Sequence, residues 1–270
     1  MKLSIIGCGN MGAAIIGGII KSGMTVPVDI TVFDIDGAKA DKLVKEFGVS
    51  RQTDVHDTVE SGDTVIIAVK PQDVETLLKE NKDVLNRFDK TVISIAAGLK
   101  TGLFRKYIDK AMIVRVMPNT PMLAGAGAAG VYFSEGIDPA KKADVIKIFE
   151  SCGIAVEVPK ESLLDSVTGL SGSGPAYVYM FISALTDAGV REGLSRAAAK
   201  KLAAQTVFGS AKLALNEMEN GVHPEELKDR VMSPGGTTAA GVYALEKGKF
   251  RAVVMDAVRA AAERSREQGA

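Results

Sequence analysis

A chain of 270 residues, 46% apolar and 24% charged, has the composition of a globular protein long enough for a sizeable core, and it divides most naturally into two domains. Its 33 basic side chains balance 33 acidic ones, which leaves no electrostatic argument for a nucleic acid or an anionic membrane as partner. No apolar run approaches the roughly 20 residues of a membrane span. The opening residues read as a strand rather than a secretory leader, and two cysteines, Cys8 and Cys152, are too few for a disulfide framework, so a cytoplasmic protein is expected. The two histidines, His56 in a polar turn and His223 just before Pro224, read as solvated loop residues, and neither a metal-ligand spacing nor a Cys/His nucleophile pair is supported.

The first element, Lys2 to Ile6, is an apolar run that turns through Gly7-Cys8-Gly9-Asn10-Met11-Gly12 into an amphipathic stretch, Ala13 to Lys21. Each glycine has a task in a dinucleotide site. Gly7 permits the tight turn, Gly9 lets the backbone approach a pyrophosphate, and Gly12 lets the helix pack on the strand. The helix N-terminus offers unpaired N–H groups and partial positive charge to the phosphates. Ile30 to Asp34 is a second strand, and Asp34 lies 22 residues beyond Gly12, close to the spacing of the acidic residue that bonds a ribose. A polar helix follows from Gly37 to Phe47. Three continuous apolar runs come next: Thr64 to Val69, closed by Lys70-Pro71; Thr91 to Ala96, closed by Ala97-Gly98; and Ala111 to Met117, closed by Pro118-Asn119. Two further strands are expected at Gly130 to Phe133 and Ile154 to Val158. Strands apolar throughout and alternating with helices predict a parallel sheet covered on both faces, with ligands at the carboxyl ends of its strands.

From about Ser162 the strand-like runs stop. Helical patterns cover Pro175 to Val190, Ser195 to Asn220, Pro224 to Val231, Thr238 to Lys247 and Phe250 to Gln268, with Pro175 and Pro224 at first-turn positions and Ser195 as an N-cap. These helices are rich in alanine. A bundle of this size buries modest area by itself, so dimerisation is expected. The fold class is therefore α/β: an N-terminal Rossmann domain with a doubly wound, mostly parallel sheet over residues 1–160, followed by an all-α helical substrate-binding and dimerisation domain over 161–270.

Two glycine- and serine-rich stretches interrupt the helical patterns. Gly169 to Tyr177 contains Ser171, Gly172, Ser173 and Gly174 directly before a long helix, where a hinge with an N-cap would need fewer such residues. Met232 to Ala239 contains Ser233, Pro234, Gly235, Gly236, Thr237 and Thr238. Successive N–H groups in a glycine turn, then a helix N-terminus and two hydroxyls, suit an anion. No lysine accompanies them as in a P-loop, so a small carboxylate fits at least as well as a phosphate. The structural alternative is a tight interhelical turn capped by Thr237.

Leu227 to Glu246, LKDRVMSPGGTTAAGVYALE, resembles the signature of the pyrroline-5-carboxylate reductases. Gly7–Gly12 (GCGNMG), Ala68–Pro71 (AVKP), Ser94–Gly98 (SIAAG), Met117–Pro121 (MPNTP) and Leu170–Tyr177 (LSGSGPAY) match that family in the same order and span almost the whole chain. The resemblance implies reduction of 1-pyrroline-5-carboxylate to L-proline with NADPH or NADH, the last step of proline biosynthesis. It also implies a Rossmann domain, and a helical domain that forms homodimers, often assembled into decamers.

Hydride transfer to a cyclic imine needs the nicotinamide over the imine carbon, a donor at the ring nitrogen and an anchor for the carboxylate, and positioning supplies most of the rate. Backbone amides around Ser233, Gly235, Gly236 and Thr237 are candidates for the carboxylate anchor. By the resemblance, Thr238 faces the ring nitrogen as a catalytic group. Ser171, with Ser173, is the candidate on the nicotinamide side. Besides the glycine loop and Asp34, the cofactor contacts implied are Ala68, Val69, Lys70, Pro71, Ala96, Ala97 and Asn119; Lys70 reads equally as a solvated strand-end lysine. Asp34 would accept from both ribose hydroxyls of NADH and repel the extra phosphate of NADPH, so the residues lean to NADH. The alternatives are a related imine or β-hydroxyacid oxidoreductase and a non-catalytic NAD(P)-binding regulator. Hydroxyacid enzymes of this build use a lysine on the helix after the glycine-rich stretch, and Tyr177 to Val190 contains none.

Overall fold

In a computed structural model of the chain, residues 1–87 and 89–269 are described; Ala270, the last residue of the expected second domain, lies outside them. Contacts divide the chain into two compact units, one formed by Met1–Ser173 with the chain from Val258 onward, the other by Gly174–Ala257.

The first unit is built on an eight-stranded sheet. Its strands are β1 (Leu3–Ile6), β2 (Ile30–Phe33), β3 (Ser50–Arg51), β4 (Thr64–Ile67), β5 (Thr91–Ser94), β6 (Met112–Met117), β7 (Gly127–Phe133) and β8 (Gly153–Glu157). They lie in the order β3-β2-β1-β4-β5-β6-β7-β8, and every pairing is parallel except that of β6 with β7. The direction of strand order reverses between β1 and β4, the switch point at which such sheets open a crevice for ligands. The helices are α1 (Asn10–Lys21), α2 (Gly37–Phe47), α3 (Val55–Glu60), α4 (Pro71–Glu80), α5 (Lys82–Leu85), α6 (Thr101–Arg105) and α7 (Pro139–Glu150).

Because side chains alternate across a strand, each apolar run feeds two cores. Ile66, Ile93 and Val114 join Ile15, Ile16 and Ile19 of α1, Leu43 of α2 and Ile148 and Phe149 of α7 on one face. Their neighbours Val65, Ile67, Val92 and Ile113 join Val74 and Leu78 of α4, Leu85 of α5 and Phe104 of α6 on the other. Two layers of helix on one sheet are what the unbroken apolar runs predict, and the domain is doubly wound. The strand β3 and the helix α7, which begins behind the Asp138 cap, were not read from the sequence. His56, expected in a turn, sits in α3, whose N-cap Asp54 accepts from the Asp57 N–H at 2.8 Å; this cap turns the polar stretch into a helix.

Later helices are α8 (Leu163–Val167), α9 (Gly174–Arg191), α10 (Arg196–Glu219), α11 (Pro224–Arg230), α12 (Thr237–Lys247) and α13 (Phe250–Gln268). Ser195 caps α10 by accepting from the Ala198 N–H at 3.2 Å. In the second unit α9 and α10 pack closely because Gly189 lies against Ala199; a Cβ on Gly189 would stand 3.1 Å from the Ala199 methyl. Phe181 and Phe250 meet with ring centroids 6.0 Å apart, joining α9 to the start of α13. Little else in this unit is covered. Met180, Phe208, Tyr243 and Met255 are all more than half exposed, and Thr186, Ala199 and Ala203 are its buried residues among those described.

Candidate active site

The glycine loop runs from the end of β1 into α1. Gly7 adopts φ +108°, and a Cβ there would stand 2.5 Å from the Ala68 carbonyl oxygen at the end of β4. A Cβ on Gly12 would stand 2.2 Å from the Gly7 carbonyl oxygen, so the first turn of α1 can lie on its own loop only with glycine there. Gly9 is the opposite case: a Cβ there meets nothing within 4 Å, and the backbone faces open space. Gly9 is the N-cap of α1 and no side chain caps the helix, so the N–H groups of Asn10, Met11 and Gly12 have no acceptor within the helix. An exposed glycine, three outward N–H groups and the positive end of a 12-residue helix fit a dinucleotide's pyrophosphate.

Asp34 follows β2 and faces this loop. Its Oδ2 accepts from the Cys8 N–H at 2.7 Å and its Oδ1 from the Asp36 N–H at 2.8 Å. The two bonds fix the carboxylate, and each oxygen keeps a lone pair for a ribose hydroxyl. Burial, with the Asp34 charge adding to it, pushes the Cys8 thiol up to about 12, so Cys8 contributes its backbone and not a thiolate.

The remaining expected cofactor residues lie along neighbouring strand ends. Ala68 follows β4 and donates its N–H to the Ile6 carbonyl at 2.7 Å; Val69 is half-buried; Lys70 is the exposed N-cap of α4, and Pro71 its first residue. Ala96, buried, and Ala97, exposed, follow β5. Asn119, two residues past β6, is the best-anchored of the set. Its Nδ2 donates to the Ser171 carbonyl at 3.2 Å and to Ser171 Oγ at 3.1 Å, while its Oδ1 accepts from the Ala128 N–H at 2.9 Å. Two motifs read separately in the sequence thus form one cluster inside the first unit.

Gly169 to Tyr177 was expected to interrupt the helical pattern, but its second half, from Gly174, already belongs to α9. Instead, residues Thr168–Gly172 form a π-helical turn that carries α8 on to α9. The glycines are there for contact: a Cβ on Gly172 would stand 2.6 Å from the Met117 terminal methyl, and one on Gly169 2.5 Å from the Val258 carbonyl oxygen. Single π turns inside helices are frequent at functional sites.

A second loop lies within the other unit. Ser233-Pro234-Gly235-Gly236 is a tight turn in which the Gly236 N–H donates to the Ser233 carbonyl at 3.0 Å, with Pro234 second and Gly235 third at φ +68°. Proline second and a positive-φ glycine third are what a type II turn requires. Gly236 then serves as N-cap of α12 and no side chain caps the helix. Thr237 therefore does not cap it, and the first-turn N–H groups of Thr237, Thr238 and Ala239 have no acceptor within it. Ser233, Gly235 and Thr237 are exposed and Thr238 is half-buried.

Sequence reasoning missed the groups that hold these loops. Arg251 donates to Glu225 of α11 at 2.9 and 3.2 Å and to Glu246 of α12 at 2.6 Å, joining the helices on either side of the turn. The Arg251 and Lys228 hydrogen bonds hold the Glu225 carboxyl down at about 2. His223 belongs to the same support, because its Nδ1 accepts from the Glu225 N–H at 3.2 Å as the N-cap of α11. In the first unit, Arg115 donates to Glu161 at 3.0 Å, and the Thr101 N–H donates to the same Glu161 oxygen at 2.5 Å. Burial works to raise the Glu161 carboxyl, but these donors outweigh it and hold the group below its ordinary range. A single arginine in the apolar run Met112–Met117 was the available sequence signal for this pair; spacing gave none for Arg251.

A doubly wound sheet with an uncapped glycine loop beside its switch point, followed by a helical unit with an uncapped glycine turn, is the build of a Rossmann-type dinucleotide-dependent oxidoreductase in two parts. Residues 161–268 match the family profile described as pyrroline-5-carboxylate reductase dimerisation, and residues 2–98 match that of the coenzyme F420-dependent NADP oxidoreductases. A pyrroline-5-carboxylate reductase of Escherichia coli is 44% identical over 98% of this chain and 97% of its own length. Among solved structures, one from Coxiella burnetii superposes with a TM-score of 0.94 at 35% identity, covering 100% of this chain and 98% of the other. One from Plasmodium falciparum with NADP bound gives 0.86 at 36% identity, again over 100% and 98%. The chain belongs to the pyrroline-5-carboxylate reductase family. No described helix is long and apolar enough to cross a membrane.

Proposed function

We propose that this protein reduces 1-pyrroline-5-carboxylate to L-proline, the closing reaction of proline biosynthesis, using NADH or NADPH. The observation that carries the reading is the uncapped start of α12 behind a glycine turn, with a threonine as its second residue. A bound dinucleotide supplies the hydride. The chain's own residues do the rest. Ser233, Gly235 and Thr237 present backbone donors to the substrate carboxylate, Gly236, whose own N–H closes the turn on the Ser233 carbonyl, sets their direction, and the Thr238 hydroxyl orients the ring nitrogen and relays its proton. A protonated imine is already a good electrophile, so positioning and not a strong acid supplies the rate.

The dinucleotide is assigned to Gly7–Gly12, Asp34, Ala68–Pro71, Ala96, Ala97 and Asn119, with Ser171 held by Asn119 on the nicotinamide side. Asp34, fixed by two backbone donors, favours NADH. A lower KM for NADH than for NADPH is expected, and Asp34→Ser should narrow the gap; a KM for NADPH several-fold below that for NADH would refute this. Residues 161–270 are assigned to substrate binding and homodimerisation, with further assembly to a decamer left to a mass measurement. The apolar side chains exposed on α9, α10, α12 and α13 support the dimer, and a monomer at micromolar concentration would overturn it. A cytoplasmic enzyme accords with two free, buried cysteines.

The deciding experiment follows NADH and NADPH oxidation with pyrroline-5-carboxylate, beside a 2-keto acid and an unrelated cyclic imine. Oxidation with the first substrate and little with the others is expected. Absence of turnover with the first would sink the reading.

A further inference from the structure

Over Gly37, three residues after Asp34, lies a positive charge that sequence spacing had placed too far away to matter. The strand β3 adds to the outer edge of β2, so Arg51 stands opposite Val32, two residues before Asp34. The Gln52 N–H donates to the Val32 carbonyl at 3.1 Å and locks that register. From there the guanidinium reaches forward over Gly37, three residues after Asp34: a Cβ on Gly37 would stand 2.7 Å from Arg51 Nη2. Arg51 Nη1 is paired with Asp41 on α2, and the Arg51 side chain is about one-third exposed. Nη2 is the guanidinium nitrogen turned towards Gly37. The charges of Arg51 and Lys39 favour the Cys8 thiolate and that of Asp34 opposes it, so all three are felt at the same loop.

A rim with a carboxylate alone would read a ribose diol and reject a phosphate; a guanidinium beside it can pair the phosphate. We infer that Arg51 is a specificity-determining residue for the dinucleotide's adenosine ribose: its guanidinium, seated over Gly37 three residues past Asp34, pairs with a 2′-phosphate and makes NADPH usable by a chain whose Asp34 selects NADH. Asp34 and Arg51 then act in opposition. The carboxylate sets the preference, and the guanidinium limits how far it goes. Gly37 is part of the arrangement, since any side chain there displaces the guanidinium. The inference rests on the nucleotide assignment made above.

The test is equilibrium binding and needs no turnover. Titration calorimetry on the full chain would compare NADPH with NADH, and adenosine 2′,5′-bisphosphate with AMP, for the unmodified protein and for Arg51→Ala, Arg51→Lys and Gly37→Ala. In Arg51→Ala the Kd for NADPH should rise about ten-fold relative to that for NADH, the scale of one charge-assisted contact. The bisphosphate should lose its advantage over AMP in the same proportion. Arg51→Lys should restore part of it, and Gly37→Ala should lower it. Proportional weakening of both dinucleotides would mean that Arg51 meets the adenine or the shared phosphates, and an unchanged ratio would mean that it serves Asp41 alone; either overturns the inference while leaving the nucleotide site standing. If neither dinucleotide binds the unmodified protein, the nucleotide assignment falls and the inference with it.

Discussion

The chain starts two helices in nearly the same way. Gly9 before α1 has φ −71° and ψ −174°, and Gly236 before α12 has φ −76° and ψ 173°. Each follows a positive-φ glycine, Gly7 or Gly235, and neither helix has a side-chain cap. Their surroundings differ. The first loop is clamped: Gly7 and Gly12 touch backbone, Cys8 is tied to Asp34, and the strands behind are buried on both faces. The second is held by its own four-residue turn and by ion pairs on the flanking helices, with open space around Gly235. The same local device is rigid where the sheet backs it and stays exposed where only a turn and flanking ion pairs hold it. The proposed assignment of a large dinucleotide to the first and a small acid to the second rests on that contrast.

The comparison is broken most severely at Gly12. Gly12→Val puts carbon where the Gly7 carbonyl oxygen already stands, and backbone cannot yield as a side-chain tip can. Dinucleotide binding should become undetectable by calorimetry, with roughly 1–3 kcal/mol of stability lost in denaturant melts. Tight NADH binding by this variant would show that the loop is not the cradle.

At the second loop the equivalent change is milder for the fold and aimed at the substrate. Gly236→Val meets Ser233 Oγ, the movable end of a short side chain, and places a branched chain beside the first N–H groups of α12. The KM for pyrroline-5-carboxylate should rise about ten- to hundred-fold, the worth of one or two hydrogen bonds to a charged group, while NADH affinity measured by calorimetry holds. Thr238→Ala should act on the other term. Loss of the hydroxyl should lower kcat by about ten-fold or more, with a smaller change in KM. Unchanged kinetics in both variants would mean that the loop is structural.

These loops were legible to different degrees. The glycine fingerprint, the strands that lead to it and the Ser195 and Pro224 helix starts could be read because each rests on local chemistry: apolar runs, caps and positive φ. The π turn at Thr168–Gly172 could not, since it depends on Met117 and on residues beyond Val258 packing against its glycines. Nor could Arg51, because a two-residue strand carries no periodicity, and its pairing beside β2 is a matter of register. The two glycine loops could be picked out of the sequence, whereas the groups that tie them in place emerged only from the fold.

The smallest effect concerns the ion pairs that support the second loop. Glu225 is held at about 2 against an ordinary 4.5, chiefly by Arg251 and Lys228. A depressed carboxyl lends support above its unfolded value and loses it as pH falls through the folded one. The Tm difference between the protein and Glu225→Gln should therefore be full at pH 6 and still present near pH 3. A difference already gone by pH 4 would show that Arg251 does not hold Glu225 in solution. The pairs are exposed, so the difference should be small and should shrink in high salt.

The last turns of α13 matter for how the protein is made. Ser265 Oγ donates to Asp165 at 2.6 Å, Gly169 lies against Val258 and Ala262, and Gln268 approaches Gly98, so the dinucleotide-binding unit includes residues separated from its sheet by the whole of Gly174–Ala257. A nascent chain emerging from the ribosome can assemble the strands β1 to β8 early, yet the packing around the π turn must wait until more than 80 further residues have been translated. The unit synthesised first is therefore completed last.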